Sequence, residues 1–120
     1  MTIVVSASGK TLDAQVDPRF GRAAFFIAVD SESGAFQAHE NSQNLNAAQG
    51  AGIQAAETVS RLGAEVVITG HCGPKAFRVL NAAGIKVVVG AKGTVLSALE
   101  AFRAGKLTPS DSADVEGHWA

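Results

Sequence analysis

The sequence predicts an α/β protein with a mixed five-stranded sheet flanked by helices, and three observations support this fold class. Two apolar runs joined by a short glycine-containing turn are typical of an antiparallel hairpin. Further along the chain, apolar residues recur at helical spacing in three segments. Short, fully apolar runs separate those segments, as expected for strands that are buried on both faces of a parallel sheet.

The first part of the chain supplies three strands separated by a loop and a turn. Residues 3–5 form the first apolar run, and residues 25–29 and 36–40 form the two strands of the hairpin. Residues 12–22 contain Asp17-Pro18 and Gly21, a composition that predicts a loop. We therefore expect the strand before this loop to lie in the same sheet as the hairpin.

The second part of the chain alternates helices and strands. Helical spacing begins at Ile53. Pro74 suits the first turn of a second helix because that position needs no amide donor, and Gly93-Thr94 caps a third helix. Strands are predicted at residues 66–68 and 87–89. Each helix is expected to end at a glycine: Gly63, Gly84 and Gly105. The order is β-β-β-α-β-α-β-α, in which β-α-β crossovers impose parallel pairing, and it corresponds to a ribonuclease H-like arrangement.

Length and composition indicate one domain with a substantial core. The chain has 120 residues, of which 47% are hydrophobic and 18% are charged. We predict a single domain over residues 1–107 and a tail over residues 108–120 in which Trp119 contacts the domain. The formal net charge of −1 argues against a broad nucleic-acid interface.

The single cysteine excludes an intramolecular disulfide and any multi-cysteine zinc or iron–sulfur cage within one chain. The first residues contain no basic leader followed by a long apolar region, and no apolar run approaches the roughly 20 residues that span a bilayer. We therefore expect a cytoplasmic protein without membrane contact.

Three short segments are predicted to meet at the carboxyl ends of the parallel strands, where open α/β sheets bind ligands. They are residues 6–10, 69–75 and 90–94, and each combines small residues with a lysine. The last two segments open helices, whose free amides attract anions. The sequence thus predicts an anion-accepting rim formed by Gly9, Lys10, Gly70, Gly73, Lys75, Lys92 and Gly93. Ordinary strand-to-helix turns with solvated lysines are the alternative interpretation.

His71 and Cys72 form the only adjacent His–Cys pair. An imidazole and a thiolate are both suitable metal donors, and a thiol beside an imidazole is also a candidate nucleophile. A buried cysteine at a strand end is the structural alternative. Asp17 is expected to stabilise a turn or cap, whereas Arg19 and Arg22 are candidates for anion contact. A two-metal nuclease site is disfavoured because the first strand carries no carboxylate.

Several of these motifs resemble one family. Residues 17–22, residues 70–77 (Gly-His-Cys-Gly-Pro-Lys-Ala-Phe) and the Ala83-Gly84-Ile85 stretch are similar to the dinitrogenase iron–molybdenum cofactor biosynthesis family, over about residues 1–107. The resemblance implies a ribonuclease H-like fold without a nuclease site and a protein that carries or stores metal–sulfur clusters. The short chain also resembles those members that hold an anionic molybdenum–copper sulfide cluster non-covalently.

From the residues and the resemblance together we expect a non-enzymatic carrier of an anionic metal–sulfur cluster. Lys10, Arg19, Arg22, Lys75 and Lys92 would offset the charge of a molybdenum–copper sulfide cluster. The glycines of the rim would expose amides, Phe20 would add an apolar contact, and His71 and Cys72 would line the site as possible metal ligands.

Three alternatives remain open at this point. The cargo could be the iron–molybdenum cofactor or its precursor, or the chain could be a regulatory or scaffold domain that binds an ATPase or a cluster-recipient protein. A thiol enzyme using Cys72 is the third alternative.

Overall fold

The sheet of the computed structural model, which describes residues 1–113, has the strand order β3-β2-β1-β4-β5. The elements in chain order are β1 (Thr2–Ala7), β2 (Phe25–Asp30), β3 (Phe36–Glu40), α1 (Ala51–Arg61), β4 (Val66–Ile68), α2 (Pro74–Ala82), β5 (Lys86–Val88) and α3 (Val95–Arg103). Strand β1 pairs with β2, and β2 with β3, in antiparallel fashion, whereas β1–β4 and β4–β5 are parallel. The predicted mixed five-stranded α/β fold is confirmed.

Element boundaries differ from the sequence prediction by one or two residues in four elements: β1, β2, α1 and β5. Helix α1 begins at Ala51, before the first periodic apolar residue, Ile53, because its first turn needs no apolar side chain. Strand β5 includes Lys86, which pairs with Val66 in the parallel ladder. The predicted helix-ending glycines have left-handed backbone angles, with φ values of 80° at Gly63, 76° at Gly84 and 76° at Gly105.

Two apolar layers cover the two faces of the sheet. On the face that we call the α1/α2 face, Val4 and Val67 pack with buried residues of α1 and α2 such as Val59 and Leu80. On the opposite, α3 face, Ile3, Val5 and Ile68 pack with Val95 and Leu99. Successive residues of each strand therefore alternate between the two layers, as the two-residue period of a strand requires.

The hairpin turn and the far edge of the sheet are fixed by polar contacts. The Asp30 carboxylate accepts backbone hydrogen bonds from Glu32 (2.8 Å) and Ser33 (3.4 Å), which lower the pKa of Asp30. At the edge of β5, the Ser110 amide donates to the Val87 carbonyl at 2.7 Å. Part of the predicted tail thus lies against β5, while Trp119 falls outside the described residues.

No helix within residues 1–113 has both the length and the apolar character needed to cross a membrane.

The cap of α3 gives a direct test of the local structure. The Thr94 hydroxyl accepts a hydrogen bond from the Ser97 amide at 3.1 Å. We expect Thr94→Ala to lower the free energy of unfolding by about 1 kcal/mol, measured by urea denaturation, because this amide loses its partner. Thr94→Ser keeps the acceptor and is the matched control. A similar loss in both variants would attribute the effect to the methyl group and contradict the prediction.

Candidate functional site

The loop between β1 and β2, residues 8–24, crosses the carboxyl ends of the parallel strands, and we call it the crossing loop. Its Asp17 amide donates to the Ser6 carbonyl of β1 at 2.9 Å, and its Phe20 amide donates to the His71 carbonyl, after β4, at 3.1 Å. The Val16 amide donates to the Gly93 carbonyl, after β5, at 2.9 Å. The three glycine-containing segments are therefore joined at one edge of the sheet by this loop.

The N-terminus of α3 is occupied by the crossing loop. The Val95 amide donates to the Ala14 carbonyl at 2.9 Å and the Leu96 amide donates to the Leu12 carbonyl at 3.0 Å, while the Ser97 amide is bonded to Thr94. The expectation that α3 offers free amides to an anion is therefore wrong. The physical reason is that the loop folds back across the sheet edge and uses the first-turn donors itself.

The N-termini of α1 and α2 have a different arrangement. Each follows a glycine, Gly50 before α1 and Gly73 before α2, and neither N-cap supplies a side-chain hydrogen bond. Because glycine has no side chain to cap the helix, the positive end of each helix dipole can interact with an external anion.

Side-chain amides hold the start of α1 against the crossing loop. The Gln43 Nε2 atom donates to the Gly21 carbonyl at 2.8 Å and to the Ala51 carbonyl at 3.0 Å. The Asn41 Nδ2 atom donates to the carbonyls of Gly21 at 3.1 Å and Ala23 at 2.9 Å. These contacts place the first residue of α1 beside the segment that carries the predicted anion contact Arg22.

The segment after β4 lies directly under the crossing loop. Arg19 pairs with His71 in a parallel bridge. A Cβ atom on Gly70 would lie 2.7 Å from the Pro18 Cα atom and 2.8 Å from the Pro18 carbonyl oxygen, so the loop can approach this closely only because residue 70 is glycine. His71 is half-buried, and Lys75, in the first turn of α2, is exposed.

We call the surface formed by these elements the α1/α2 rim. Three of its members, Arg19, Arg22 and Lys75, carry exposed cationic side chains. The others supply backbone or an imidazole, and two of them, Gly70 and Gly73, are buried beneath the surface. Its residues are Arg19, Arg22, Gly50, Gly70, His71, Gly73 and Lys75.

The remaining predicted rim residues lie on the α3 side of the crossing loop. A Cβ atom on Gly9 would lie 3.2 Å from the Cβ atom of Ala14, whose carbonyl accepts from the α3 amide. The Lys10 Nζ atom lies 5.5 Å from the centroid of the Phe25 ring, which packs against the α3 face. Lys92 and Gly93 directly precede α3. Gly9, Lys10, Lys92 and Gly93 thus form a group separate from the α1/α2 rim.

The structure places Phe20 and Cys72 in the core. Both side chains are 0% exposed and belong to the apolar layer on the α1/α2 face, where the Phe20 ring lies 5.3 Å from that of Phe26. The Cys72 Sγ atom donates a long contact of 3.7 Å to the Gly73 carbonyl. Neither side chain is brought to the rim surface, because the chain turns inward at both positions to anchor the loop and the start of α2.

The Asp17 side chain has the structural role that its turn sequence predicts. Its two carboxylate oxygens accept hydrogen bonds from the amides of Arg19 at 3.1 Å and Ala24 at 3.3 Å. Within residues 1–113 no group of three or more His, Cys, Asp or Glu residues is arranged to hold a metal ion. What the α1/α2 rim provides is three cations, two helix N-termini and one imidazole.

The start of α1 is a part of this surface that the sequence does not point to clearly. The Gly50-Ala51-Gly52 stretch is only a weak signal for exposed amides, since glycines are common in loops. The partners of Asn41 and Gln43 leave no signal in the sequence, because their acceptors are backbone carbonyls some twenty residues earlier or at a helix start.

Fold and rim together define an α/β protein with exposed cations and two uncapped helix N-termini at one sheet edge, and comparison with known proteins identifies its family. Residues 1–105 match the family described as dinitrogenase iron-molybdenum cofactor. The chain belongs to this family, as its motifs indicated. An uncharacterised protein of Methanocaldococcus jannaschii is 30% identical over 95 residues, which are 78% of this chain and 80% of the relative.

Two solved structures show the same fold at substantial sequence identity. The apo form of the orange protein from Desulfovibrio gigas is 42% identical with a TM-score of 0.90, covering 95% of this chain and 96% of its own. A putative NifB protein from Thermotoga is 34% identical with a TM-score of 0.80, covering 97% of this chain and 98% of its own. These relationships support a cluster-binding carrier role.

The close approach at Gly70 leads to a prediction about the rim. We expect Gly70→Ala to lower the free energy of unfolding by about 1–3 kcal/mol, because the new methyl group would meet the Pro18 backbone, which cannot yield as a side chain does. Gly9→Ala is the control, since its methyl group would meet only the Ala14 side chain. Urea denaturation measures both, and equal stability of the Gly70→Ala and wild-type proteins would contradict the prediction.

Proposed function

We propose that this protein carries or stores an anionic metal–sulfur cluster on the α1/α2 rim and performs no catalysis on it. The proposal is supported by two helix N-termini without capping side chains and by the exposed cations Arg19, Arg22 and Lys75 in the segments next to them. Membership of a family described by the dinitrogenase iron-molybdenum cofactor supports a cluster as the cargo.

The physical basis of the proposed binding is charge and shape. Helix N-termini and cationic side chains both favour an anion, and the effect is largest where they face the same ligand. A sulfido-bridged cluster brings its own sulfur, so the protein does not need to supply several thiolates. The half-buried His71 is the donor best placed to add a direct metal bond, since imidazole binds both copper and iron.

For the identity of the cargo we propose a molybdenum–copper sulfide cluster. Two similarities support this choice. The short chain resembles the members of the family with that cargo, and it is 42% identical to the orange protein. The iron–molybdenum cofactor or its precursor is the second candidate, supported by the family description and by the similarity to the putative NifB protein.

The proposal is tested by reconstitution. Metal-free protein mixed with tetrathiomolybdate and copper is expected to gain a visible charge-transfer band and to retain both metals through gel filtration, with elemental analysis giving the ratio. Retention of an iron–molybdenum precursor in place of molybdenum and copper would favour the second candidate. A protein that retains neither would contradict the carrier function.

The two sides of the crossing loop provide a matched pair of variants. Lys75→Ala is expected to weaken cluster retention about fivefold at low salt, because it removes a charge at an open helix N-terminus. Lys92→Ala removes a charge beside α3, whose first-turn amides are occupied, and is expected to leave retention nearly unchanged. Titration with the cluster components at two salt concentrations measures the difference, and equal effects would place the anion elsewhere.

A second pair of variants separates imidazole from thiolate ligation. Cys72→Ser is expected to retain the cluster with an unchanged band, since the Cys72 side chain is 0% exposed and would have to leave the core to reach a metal. His71→Ala is expected to shift the band or lower retention. Loss of the band in Cys72→Ser at preserved far-ultraviolet circular dichroism would instead establish the thiolate as a ligand.

A further inference from the structure

Two buried hydroxyl groups lie beneath the crossing loop. Ser6, next to the end of β1, and Thr69, immediately after β4, are both 0% exposed. The Ser6 Oγ atom lies 2.8 Å from the Thr69 Oγ1 atom and 2.8 Å from the Asp17 carbonyl oxygen. Side chains two residues apart on a strand point to the same face of the sheet. Ser6 therefore points to the same face as Val4, and Thr69 to the same face as Val67, which is the α1/α2 face.

Counting the protons fixes the direction of these contacts. A serine hydroxyl has one proton, so Ser6 cannot donate to both neighbours. The Asp17 carbonyl can only accept, which requires Ser6 to donate to it. Thr69 must then donate to the Ser6 oxygen, giving the chain Thr69 to Ser6 to Asp17. This arrangement satisfies both hydroxyls, and within residues 1–113 no buried side-chain oxygen or nitrogen lacks a partner.

Ser6 holds residue 17 of the loop from two sides. The Ser6 carbonyl accepts from the Asp17 amide at 2.9 Å while the Ser6 hydroxyl donates to the Asp17 carbonyl. Thr69 is itself anchored to the β5 side, because its amide donates to the Val88 carbonyl at 2.9 Å and its carbonyl accepts from Ala91 at 3.2 Å. The hydroxyl chain therefore connects the loop to three neighbouring strands.

Residue 17 controls the position of the rim cation that follows it. The Asp17 carboxylate accepts from the Arg19 amide, and Arg19 pairs with His71. A shift of residue 17 would thus move Arg19 relative to His71. Burying a hydroxyl group is unfavourable in free energy unless the group is hydrogen-bonded. Alanine and valine would therefore suit these two positions better if the positions served only apolar packing.

We propose that Ser6 and Thr69 are positioning residues, whose buried hydroxyl chain fixes the crossing loop so that Arg19 and His71 face the cluster together. They do not contact the cargo. The effect on cluster binding rests on the proposed carrier function. The effect of the hydroxyl chain on the position of the crossing loop does not, because it is a property of the metal-free protein.

The first arm of the test uses metal-free protein and amide hydrogen exchange. Ser6→Ala is expected to accelerate exchange of the Asp17 and Phe20 amides roughly ten- to a hundredfold relative to the amides of β4. Thr69→Ser keeps the hydroxyl, and its loop amides are expected to exchange at the wild-type rate. Thr69→Val has the same shape without the hydroxyl, and its loop amides are expected to exchange faster, as in Ser6→Ala. Acceleration that is equal in the loop and in β4 would indicate general destabilisation and overturn the proposal.

The second arm measures retention of a cluster assembled from tetrathiomolybdate and copper. Ser6→Ala leaves the buried Thr69 hydroxyl without its hydrogen-bond partner, whereas the double variant Ser6→Ala/Thr69→Val removes both hydroxyls. The double variant is therefore expected to be more stable to urea than Ser6→Ala. Its retention is nevertheless expected to stay about tenfold below that of the wild type, because the loop is still released. Wild-type retention in the double variant would overturn the proposal.

The two arms distinguish failure of the positioning role from failure of the carrier role. If wild-type protein holds no cluster, the carrier function fails, and the exchange arm still decides whether the hydroxyl chain fixes the loop. If Ser6→Ala does not fold, the double variant and the pair Thr69→Ser and Thr69→Val supply the same comparison.

Discussion

The backbone pairing of the crossing loop with the segments after β1, β4 and β5 is the interaction on which the sheet edge depends. Parallel strands leave their carboxyl ends open, and in many α/β proteins that opening is the ligand site. Here residues 16, 17 and 20 donate to carbonyls of all three segments. The edge is therefore not an open crevice: the loop divides it into an α3 side and an α1/α2 side with different properties.

The division produces an electrostatic asymmetry. On the α3 side, the first amides of the helix are bonded to the loop carbonyls of Leu12 and Ala14 or to Thr94, which neutralises much of the attraction for an external anion. On the α1/α2 side, two glycines begin the helices without capping side chains. Lysines occur on both sides, so the two sides differ more in the state of their helix amides than in their number of cations. We therefore expect the proposed anionic cargo to bind on the α1/α2 side.

Sequence reasoning predicted the fold well because its signals were local. The glycines at 63, 84 and 105, Pro74 at the start of α2 and the Thr94 cap each act within one turn of helix, and the apolar strands follow from burial. The loop pairing could not be predicted, because backbone bonds such as that from Leu96 to Leu12 carry no residue preference. For the same reason the sequence treated the glycines near α2 and α3 as equivalent and could not show that Cys72 points into the core.

A cargo held mainly by charge and dipoles needs a more rigid frame than a cargo held by several metal–thiolate bonds, because fewer direct bonds set its orientation. Preorganised donors lose little entropy when the ligand arrives. The frame here has three supports: the glycine contact of residue 70 with Pro18, the side-chain amides of Asn41 and Gln43 on Gly21, and the buried hydroxyls on Asp17. Each support holds loop backbone, whereas the side chains of Arg19 and Arg22 are exposed. A rim with fixed backbone and exposed cations would suit the proposed cargo, a bulky, polarisable anion whose charge is spread over several sulfides.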